Sequence, residues 1–246
     1  MQTILCIPGP WASRTELLSA LVEARQGDYL FVGGILANLA TDTHFLLELY
    51  EADPDLTNAF ERAGRFSAMS KEALAAVAEH RMVVYLLTQP DQPADCASAR
   101  AIAQAAAALL DAGGLAVKVE TAGKAFEAAK WRELLSQLGA GPLWELFVAV
   151  AISSPEGEFF TCGMHNLGFK DALVRDLPPA DAIQLLREFT YFEVNEEPEL
   201  AIGHTFSLAA NAPVYRLAEV GPQPYAAYPD FVNPYGMWEL LAKQAK

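Results

Sequence analysis

The spacing of apolar and polar positions predicts the same succession of elements twice along the chain. In the first half, β-rich runs alternate with segments of helical periodicity in the order β-α-β-β-α-β. The predicted strands of this half cover residues 3–7, 29–39, 44–50 and 82–88, and the predicted helices follow residues 13, 53 and 70. A short polar segment separates the second strand from the third, which is typical of a hairpin.

The second half shows the same order and adds one strand at its end. Its predicted strands cover residues 115–120, 144–152, 158–162, 203–208 and 214–220, and its predicted helices cover residues 124–138 and 179–192. This order is that of the split βαβ, or ferredoxin-like, unit. We therefore expect an α+β fold in which two ferredoxin-like units lie side by side, forming an antiparallel-rich sheet with helices on one face.

Proline and glycine positions divide the chain into three parts. Pro90, Gln92 and Pro93 separate an N-terminal unit at residues 1–92 from a C-terminal unit at residues 97–220, although one compact domain is the alternative. The tail at residues 221–246 mixes prolines with aromatic residues. We predict an extended arm that packs over its own domain, and the alternative is an arm that clasps a second subunit in a homodimer.

The charge balance restricts the partners. The chain has 17 Lys and Arg against 31 Asp and Glu, a net charge of −14 at pH 7. Binding to a phosphate backbone needs clustered basic residues, and the densest basic stretch is only Lys124, Lys130 and Arg132. We therefore expect neither nucleic acid nor an anionic membrane as a partner. No run resembles a signal peptide or a membrane span, and we predict a soluble cytoplasmic protein without a cofactor.

The strongest candidate for chemistry is the segment from Cys162 to Asp171. A thiol, an imidazole and a carboxylate lie within ten residues there. In a hydrolase or transferase, Cys162 would be the nucleophile, His165 the base, and Asp171 or Glu120 the orienting acid. However, side chains three residues apart point to opposite sides of a strand. The structural alternative is that Cys162 is a buried core thiol.

Two further kinds of site have weaker support. Cys162 and His165 supply two metal ligands if they converge, with His204 as a third on a neighbouring strand. The segment Thr121-Ala122-Gly123-Lys124 lies between a predicted strand and a predicted helix, but it lacks the residues of a P-loop, so only an incidental anion site remains. The pair Gly33-Gly34 is interpreted as a bulge or a close backbone approach within a strand.

Several short segments, found in one order, carry a resemblance to a known family. Residues 113–120 form a Gly-Gly turn into a strand that ends in Glu, and residues 162–172 contain the pattern G-M-x-x-L-G-x-x-D. With residues 6–11 and 122–125 and Trp131, they resemble bacterial proteins that carry the domain of unknown function 4261. The resemblance implies no activity, but it marks Glu120, Gly123, Trp131, Gly163, Leu167, Gly168 and Asp171 as matching positions.

The function that these observations favour is binding. A complete α+β core without a recognisable catalytic constellation indicates a non-enzymatic binding or accessory protein for a partner protein or a small ligand. Its acidic charge suits a basic partner. The alternative is the hydrolase or transferase built on Cys162 and His165, and a purely structural or self-assembling protein is a third hypothesis.

Overall fold

The computed structural model describes residues 2–153, 157–221, 223 and 228–243. Within those residues the chain forms two sheets and seven α-helices. The helices are α1 (Arg14–Arg25), α2 (Leu56–Ala63), α3 (Lys71–Ala78), α4 (Cys96–Asp111), α5 (Ala128–Leu135), α6 (Gly141–Phe147) and α7 (Pro179–Glu196). No helix of the described residues is long and apolar enough to cross a membrane.

The first sheet has seven strands, and all of its pairings are antiparallel. Its strands are β1 (Ile4–Gly9), β2 (Tyr29–Val32), β3 (Ile35–Asn38), β4 (Thr43–Glu51), β5 (Met82–Leu87), β6 (Ala116–Val119) and β7 (Lys124–Glu127). They lie in the order β2-β3-β4-β5-β1-β6-β7. The first strand of the chain is therefore near the middle of the sheet.

The second sheet has six strands in the order β11-β12-β13-β10-β9-β8. They are β8 (Ala149–Ser153), β9 (Phe159–Cys162), β10 (Asp171–Val174), β11 (Thr205–Phe206), β12 (Tyr215–Val220) and β13 (Met237–Ala242). The pairing of β10 with β13 is parallel, and the other pairings are antiparallel. Helix α7 packs on one face through Leu185, Leu186 and Phe189.

Local sequence signals account for several helix boundaries. Ser13 accepts a hydrogen bond from the backbone N–H of Glu16 at 3.2 Å, and the Glu16 carboxylate accepts one from the N–H of Ala12 at 2.8 Å. This exchange begins α1 as the sequence predicts. Asp95 caps α4 in the same way, accepting from the N–H of Ser98 at 2.7 Å. Each cap satisfies a backbone donor that the first helical turn leaves unpaired.

The two faces of the seven-stranded sheet are covered differently. On one face, α1 and α4 bury the sheet side chains Leu5, Ile7, Phe45, Leu47, Val84 and Leu86. On the other face, α2 and α3 cover only a part of the sheet, with Leu56 and Phe60 packed near Cys6 and Val83. The rest of that second face carries no α-helix among the described residues, and a 3₁₀ turn at Pro229–Phe231 places Asp230 at its edge.

The prediction of an antiparallel-rich α+β fold is confirmed, but the two ferredoxin-like units are not. A βαβ unit joins parallel strands through a helix, whereas α2 and α3 connect β4 to its direct antiparallel neighbour β5. Strands β6 and β7 follow the expected boundary at residues 92–97 and still pair in the first sheet. The described residues form two sheets, and the first has helices on both faces.

Three predicted segments change type along their length. Residues 29–39 form a hairpin instead of one strand, because Gly33 and Gly34 have φ of +62° and +85° and make the turn between β2 and β3. The pair is therefore not a bulge. Residues 124–138, predicted as a helix, begin as strand β7, and residues 144–152, predicted as a strand, begin inside α6.

The C-terminal arm contributes a central strand. Strand β13 lies between β12 and β10, and Trp238 is buried in the core against α7. The described part of the arm therefore packs within its own chain as a strand of the second sheet, and not as an extended arm over the domain. Residues 222, 224–227 and 244–246 lie outside the described residues. The alternative of a homodimer through the arm gains no support from Trp238.

Candidate functional site

Cys162 ends strand β9 and lies deep in the second sheet. Only 1% of its surface is exposed, and it packs with Phe160, Leu173 and Met237. Its thiol donates a long hydrogen bond to the carbonyl of Thr121 at 3.8 Å. Burial raises the pKa of the thiol well above its usual value. A nucleophilic cysteine needs a lowered pKa and access to solvent, so this environment does not activate Cys162.

His165 is also buried, in a short 3₁₀ turn at Met164–Leu167. Its exposure is 2%, and burial lowers its pKa to about 4, which keeps the ring neutral at pH 7. Neither ring nitrogen has a hydrogen-bond partner within the described part of the chain. A general base must reach the proton that it removes. The structure therefore does not connect His165 with the thiol of Cys162.

Asp171 is the centre of a buried hydrogen-bond network. One carboxylate oxygen accepts from the Thr161 hydroxyl at 2.9 Å and from the N–H of Met164 at 3.3 Å. The other accepts from the side-chain amide of Asn233 at 2.8 Å. These bonds join β9, the turn after it and the C-terminal arm to the first residue of β10. Their arrangement is that of a structural anchor.

Glycines allow the turns around this network. Gly163 and Gly168 have φ of +110° and +88°. A Cβ atom would lie 2.1 Å from the carbonyl oxygen of Phe147 at the first and 2.4 Å from that of Ala94 at the second. Only glycine fits such close backbone approaches. Both positions match the family resemblance, and the described contacts give each of them a role in packing.

The segment Thr121-Ala122-Gly123-Lys124 does not form an anion site at a helix N-terminus. It consists of a 3₁₀ turn followed by β7. The ammonium of Lys124 is buried and donates to the carbonyls of Glu145 and Val148, the latter at 2.9 Å. Desolvation lowers its pKa to about 8. Lys124 thus caps the C-terminal end of α6, where the helix dipole favours a positive charge.

The expected metal ligands have separate environments. His204 lies in the exposed loop before β11, where its Nδ1 atom accepts from the N–H of Ala201 at 3.3 Å. Cys162 and His165 are enclosed in the core. Residues 2–153, 157–221, 223 and 228–243 contain no group of three or more His, Cys, Asp or Glu that could hold a metal ion.

Glu120 faces a surface cavity. It follows β6 in a 3₁₀ turn and forms an ion pair with Lys118. The cavity has a volume of about 290 Å³ and is lined by Ile4, Glu48, Tyr50, Tyr85, Leu87, Glu120 and Asp230. It lies on the uncovered part of the second sheet face. Glu120 therefore faces the surface, whereas Cys162, His165 and Asp171 are buried.

A row of aliphatic side chains crosses this uncovered region, which we call the open face. The cross-strand register pairs Val32 with Ile35, Ile35 with Leu46, Leu46 with Leu87, and Leu87 with Ile4. The five residues thus form one line over five strands. Val32 is 61% and Ile35 is 38% exposed, and the other three are partly exposed. None of them belongs to the core clusters of the described residues.

The cavity, which we call the end pocket, closes one end of this row. The rings of Tyr50 and Tyr85 meet edge to face, with centroids 5.6 Å apart and planes at 87°. The Tyr50 hydroxyl donates to the carboxylate of Glu48 at 2.9 Å. Asp230 reaches the pocket from the C-terminal arm. The pocket therefore combines aromatic walls with three carboxylates, of which Glu120 is paired with Lys118.

Sequence reasoning missed the open face because its strands have apolar residues on both sides. In β4, Phe45 and Leu47 point to the covered face, while Leu46 points to the open face. A continuous apolar run predicts a strand that is buried on both faces. The sequence did contain one signal for an uncovered face, because the helices predicted in the first half are too few to cover both faces of such strands.

Comparisons with known proteins add no further information about the site. No family model, no curated protein and no solved structure matches this chain. The resemblance to bacterial proteins with the domain of unknown function 4261 therefore stays a prediction.

Proposed function

We propose that the protein is a non-enzymatic binding protein that holds a basic partner protein on its open face. The observation that carries this proposal is the aliphatic row Val32–Ile35–Leu46–Leu87–Ile4, which is in register across five strands and which no α-helix of the described residues covers. An antiparallel sheet with one solvated face normally places polar side chains on that face. Contiguous apolar surface on a protein is typical of an interaction site.

Burial of this row provides the driving force for binding. Removing apolar surface from water contributes roughly 25 cal/mol per Å², or about 1.5–3 kcal/mol for a fully buried aliphatic side chain. Val32 and Ile35 have the most surface to lose, because they are the most exposed members of the row. Leu30 and Tyr50, which are also exposed, extend the apolar surface on either side.

Charge selects the kind of partner. The chain carries a net charge of −14, and Glu48, Glu120 and Asp230 surround the inner end of the row. A second copy of the chain would bring an equal negative charge to the interface, which like-charge repulsion disfavours. A basic partner gains from the same field during its approach. We therefore assign the open face to a different protein with a positive surface.

The alternative of a thiol-dependent hydrolase or transferase receives less support. Cys162 is enclosed with a raised pKa, His165 lies without a hydrogen bond to it, and Asp171 is engaged with Thr161, Met164 and Asn233. These contacts favour a structural role for the segment.

Site-specific photo-cross-linking in the native host tests the proposal. A photoreactive amino acid replaces Val32 on the open face or, as a matched control, Val22, which is 54% exposed on α1. We expect a discrete heavier species from position 32 and none from position 22. Mass spectrometry should assign the cross-linked peptide to one basic partner, and Ile35→Gln combined with Leu46→Gln should remove the adduct.

Two results would contradict the proposal. Equal, heterogeneous adducts at both positions would show that the open face is ordinary surface. An adduct that joins two copies of this chain would show that the face is a homodimer contact. In either case the open face would not be a docking site for a basic partner.

A further inference from the structure

We propose that the segment which docks on the open face is a cationic amphipathic helix, and that one of its Lys or Arg side chains enters the end pocket. This inference rests on the proposed function and adds the chemistry of the partner. It combines three features of the described residues, which are the incomplete helical layer, the direction of the aliphatic row and the composition of the pocket.

The incomplete layer on the second sheet face indicates a helix. Helices α2 and α3 already cover part of that face, where Leu56 and Phe60 pack with Cys6 and Val83. Stable α+β architectures bury a sheet face under helices. A partner helix that lies beside α2 and α3 would complete the layer. A helical segment also pairs its own backbone N–H and C=O groups internally.

The dimensions of the row match one short helix. Five strands spaced about 4.8 Å apart extend over about 19 Å. A helix rises about 1.5 Å per residue, so about 13 residues cover that distance. A stripe of aliphatic residues at helical spacing would contact the row from Val32 to Ile4. The stripe would end at the pocket, because Ile4 and Leu87 belong to both the row and the pocket lining.

The pocket suits a positively charged side chain. Three carboxylates, from Glu48, Glu120 and Asp230, line the pocket. Because Lys118 pairs with Glu120, the carboxylates of Glu48 and Asp230 remain as an excess of two negative charges. The methylene stem of a lysine or arginine packs against apolar surface while its charged end seeks water or a counter-ion. The tyrosine rings add cation–π attraction.

The volume of the pocket limits its occupant. At about 290 Å³ it falls at or below the range of cavities that hold drug-sized ligands. It is continuous with the aliphatic row through Ile4 and Leu87. A single long side chain, delivered by a segment already lying on the row, fits both properties.

Fluorescence anisotropy with two designed peptides tests this inference on the full-length protein. Both peptides have about 18 residues and the same leucine stripe at helical spacing, and their polar positions are lysine in one and glutamate in the other. We expect the lysine peptide to bind about tenfold more tightly or better, with an affinity that falls as salt rises. Circular dichroism should show helix formation on binding.

Matched variants locate the charge effect. Glu48→Gln with Asp230→Asn removes two carboxylates from the pocket, and Glu23→Gln with Glu188→Gln removes two exposed carboxylates on α1 and α7. Because total charge changes equally, a general electrostatic effect would weaken both variants alike. We expect about a tenfold loss of affinity for the lysine peptide in the first variant and less than a twofold loss in the second.

The outcomes separate this inference from the proposed function. Equal binding of both peptides would overturn the cationic part and leave docking on the open face intact. Equal losses in the two variants would overturn the role of the pocket. If neither peptide binds although the cross-linked adduct forms at position 32, the occupant is not an amphipathic helix. If no adduct forms, the proposed function itself fails.

Discussion

In two regions of this molecule, burial is the opposite of what the residue types alone would suggest. The segment from Cys162 to Asp171 contains the residue types of catalysis, yet the structure buries Cys162, His165 and Asp171, and hydrogen bonds of Cys162 and Asp171 join separate elements. The row from Val32 to Ile4 contains only the aliphatic residues of a core, yet it faces the surface. Environment, more than residue type, therefore decides which region is available for function.

The contrast also shows what buried polar residues do in a large core. Asp171 and Asn233 attach the C-terminal arm, with the backbone N–H of Asp171 donating to the carbonyl of Gly236 at 3.3 Å. Such a network is favourable only while each member keeps its partners. The open face has no comparable constraint, because its aliphatic side chains are exposed or partly exposed to solvent.

The largest predicted effect is the loss of stability when the buried hydrogen-bond network around Asp171 is disrupted. Asp171→Ala removes the acceptor for Thr161, Met164 and Asn233 and leaves their donors buried without that partner. We expect a loss of about 4 kcal/mol in the free energy of unfolding. Urea denaturation measures this loss, and Glu188→Ala on exposed α7 surface serves as the control, with a change below about 0.5 kcal/mol. Equal effects would contradict the anchoring role.

A second prediction compares the two faces at neighbouring residues. Leu86 is fully buried under the helices of the covered face, whereas Leu87 lies on the open face. We expect Leu86→Ala to cost about 3 kcal/mol, because it leaves a cavity. Leu87→Ala should cost about 1 kcal/mol or less, because the side chain is partly exposed already. Similar costs, measured by urea denaturation, would show that both faces are covered.

A third prediction uses the ionisation of His165. Burial holds its pKa in the folded state at about 4, against 6.5 in the unfolded state. Between pH 6.5 and pH 4 the unfolded state therefore binds more protons, and stability falls as the pH falls. The contribution of this group is about 3 kcal/mol over that window. The full contribution of His165 to the free energy of unfolding is present above pH 6.5.

The comparison of wild type with His165→Leu isolates that contribution. Burial raises the pKa of Glu193, so its protonation favours the folded state and opposes the His165 effect. The difference between the two proteins cancels the Glu193 contribution. We expect the wild type to lose about 3 kcal/mol relative to the variant between pH 6.5 and pH 4. A constant difference would show that His165 is accessible to protons in the folded state.

The smallest predicted effect concerns thiol reactivity. Burial raises the pKa of all three thiols, but Cys6 and Cys162 are buried whereas Cys96 is half-buried at the start of α4. A thiol reagent at neutral pH should modify Cys96 first and modify Cys6 and Cys162 only after denaturation. Rapid reaction of Cys162 in the folded protein, identified by mass spectrometry, would restore the enzyme hypothesis.

Local patterns predicted many elements but not their arrangement. Apolar runs identified β1, β5 and β9, and helical periodicity identified α1 and α7. Strand order escaped prediction because it depends on pairings between distant residues, such as Leu5 with Val119. Strand β13 was missed because its six residues follow a proline-rich stretch whose composition predicts an irregular arm.

For the candidate site, too, the residue types could be predicted from the sequence but their arrangement could not. The motif around Cys162 and His165 was visible as residue types, but sequence spacing did not reveal that both side chains are buried. Glu120 was predicted as a candidate, and its position at a surface cavity depends on the approach of Glu48 and Asp230 from distant segments. Exposure of the aliphatic row depends on which helices cover which face, and local sequence patterns do not show on which face of the sheet each helix packs.

The most direct test measures the yield of the cross-linked adduct from position 32 in three backgrounds. These are the otherwise wild-type protein, Cys162→Ala, and Ile35→Gln combined with Leu46→Gln. If the open face binds the partner and the buried segment only holds the fold, the adduct persists in Cys162→Ala and falls at least about tenfold in the double variant. Loss of the adduct in Cys162→Ala, with full yield in the double variant, would contradict the account.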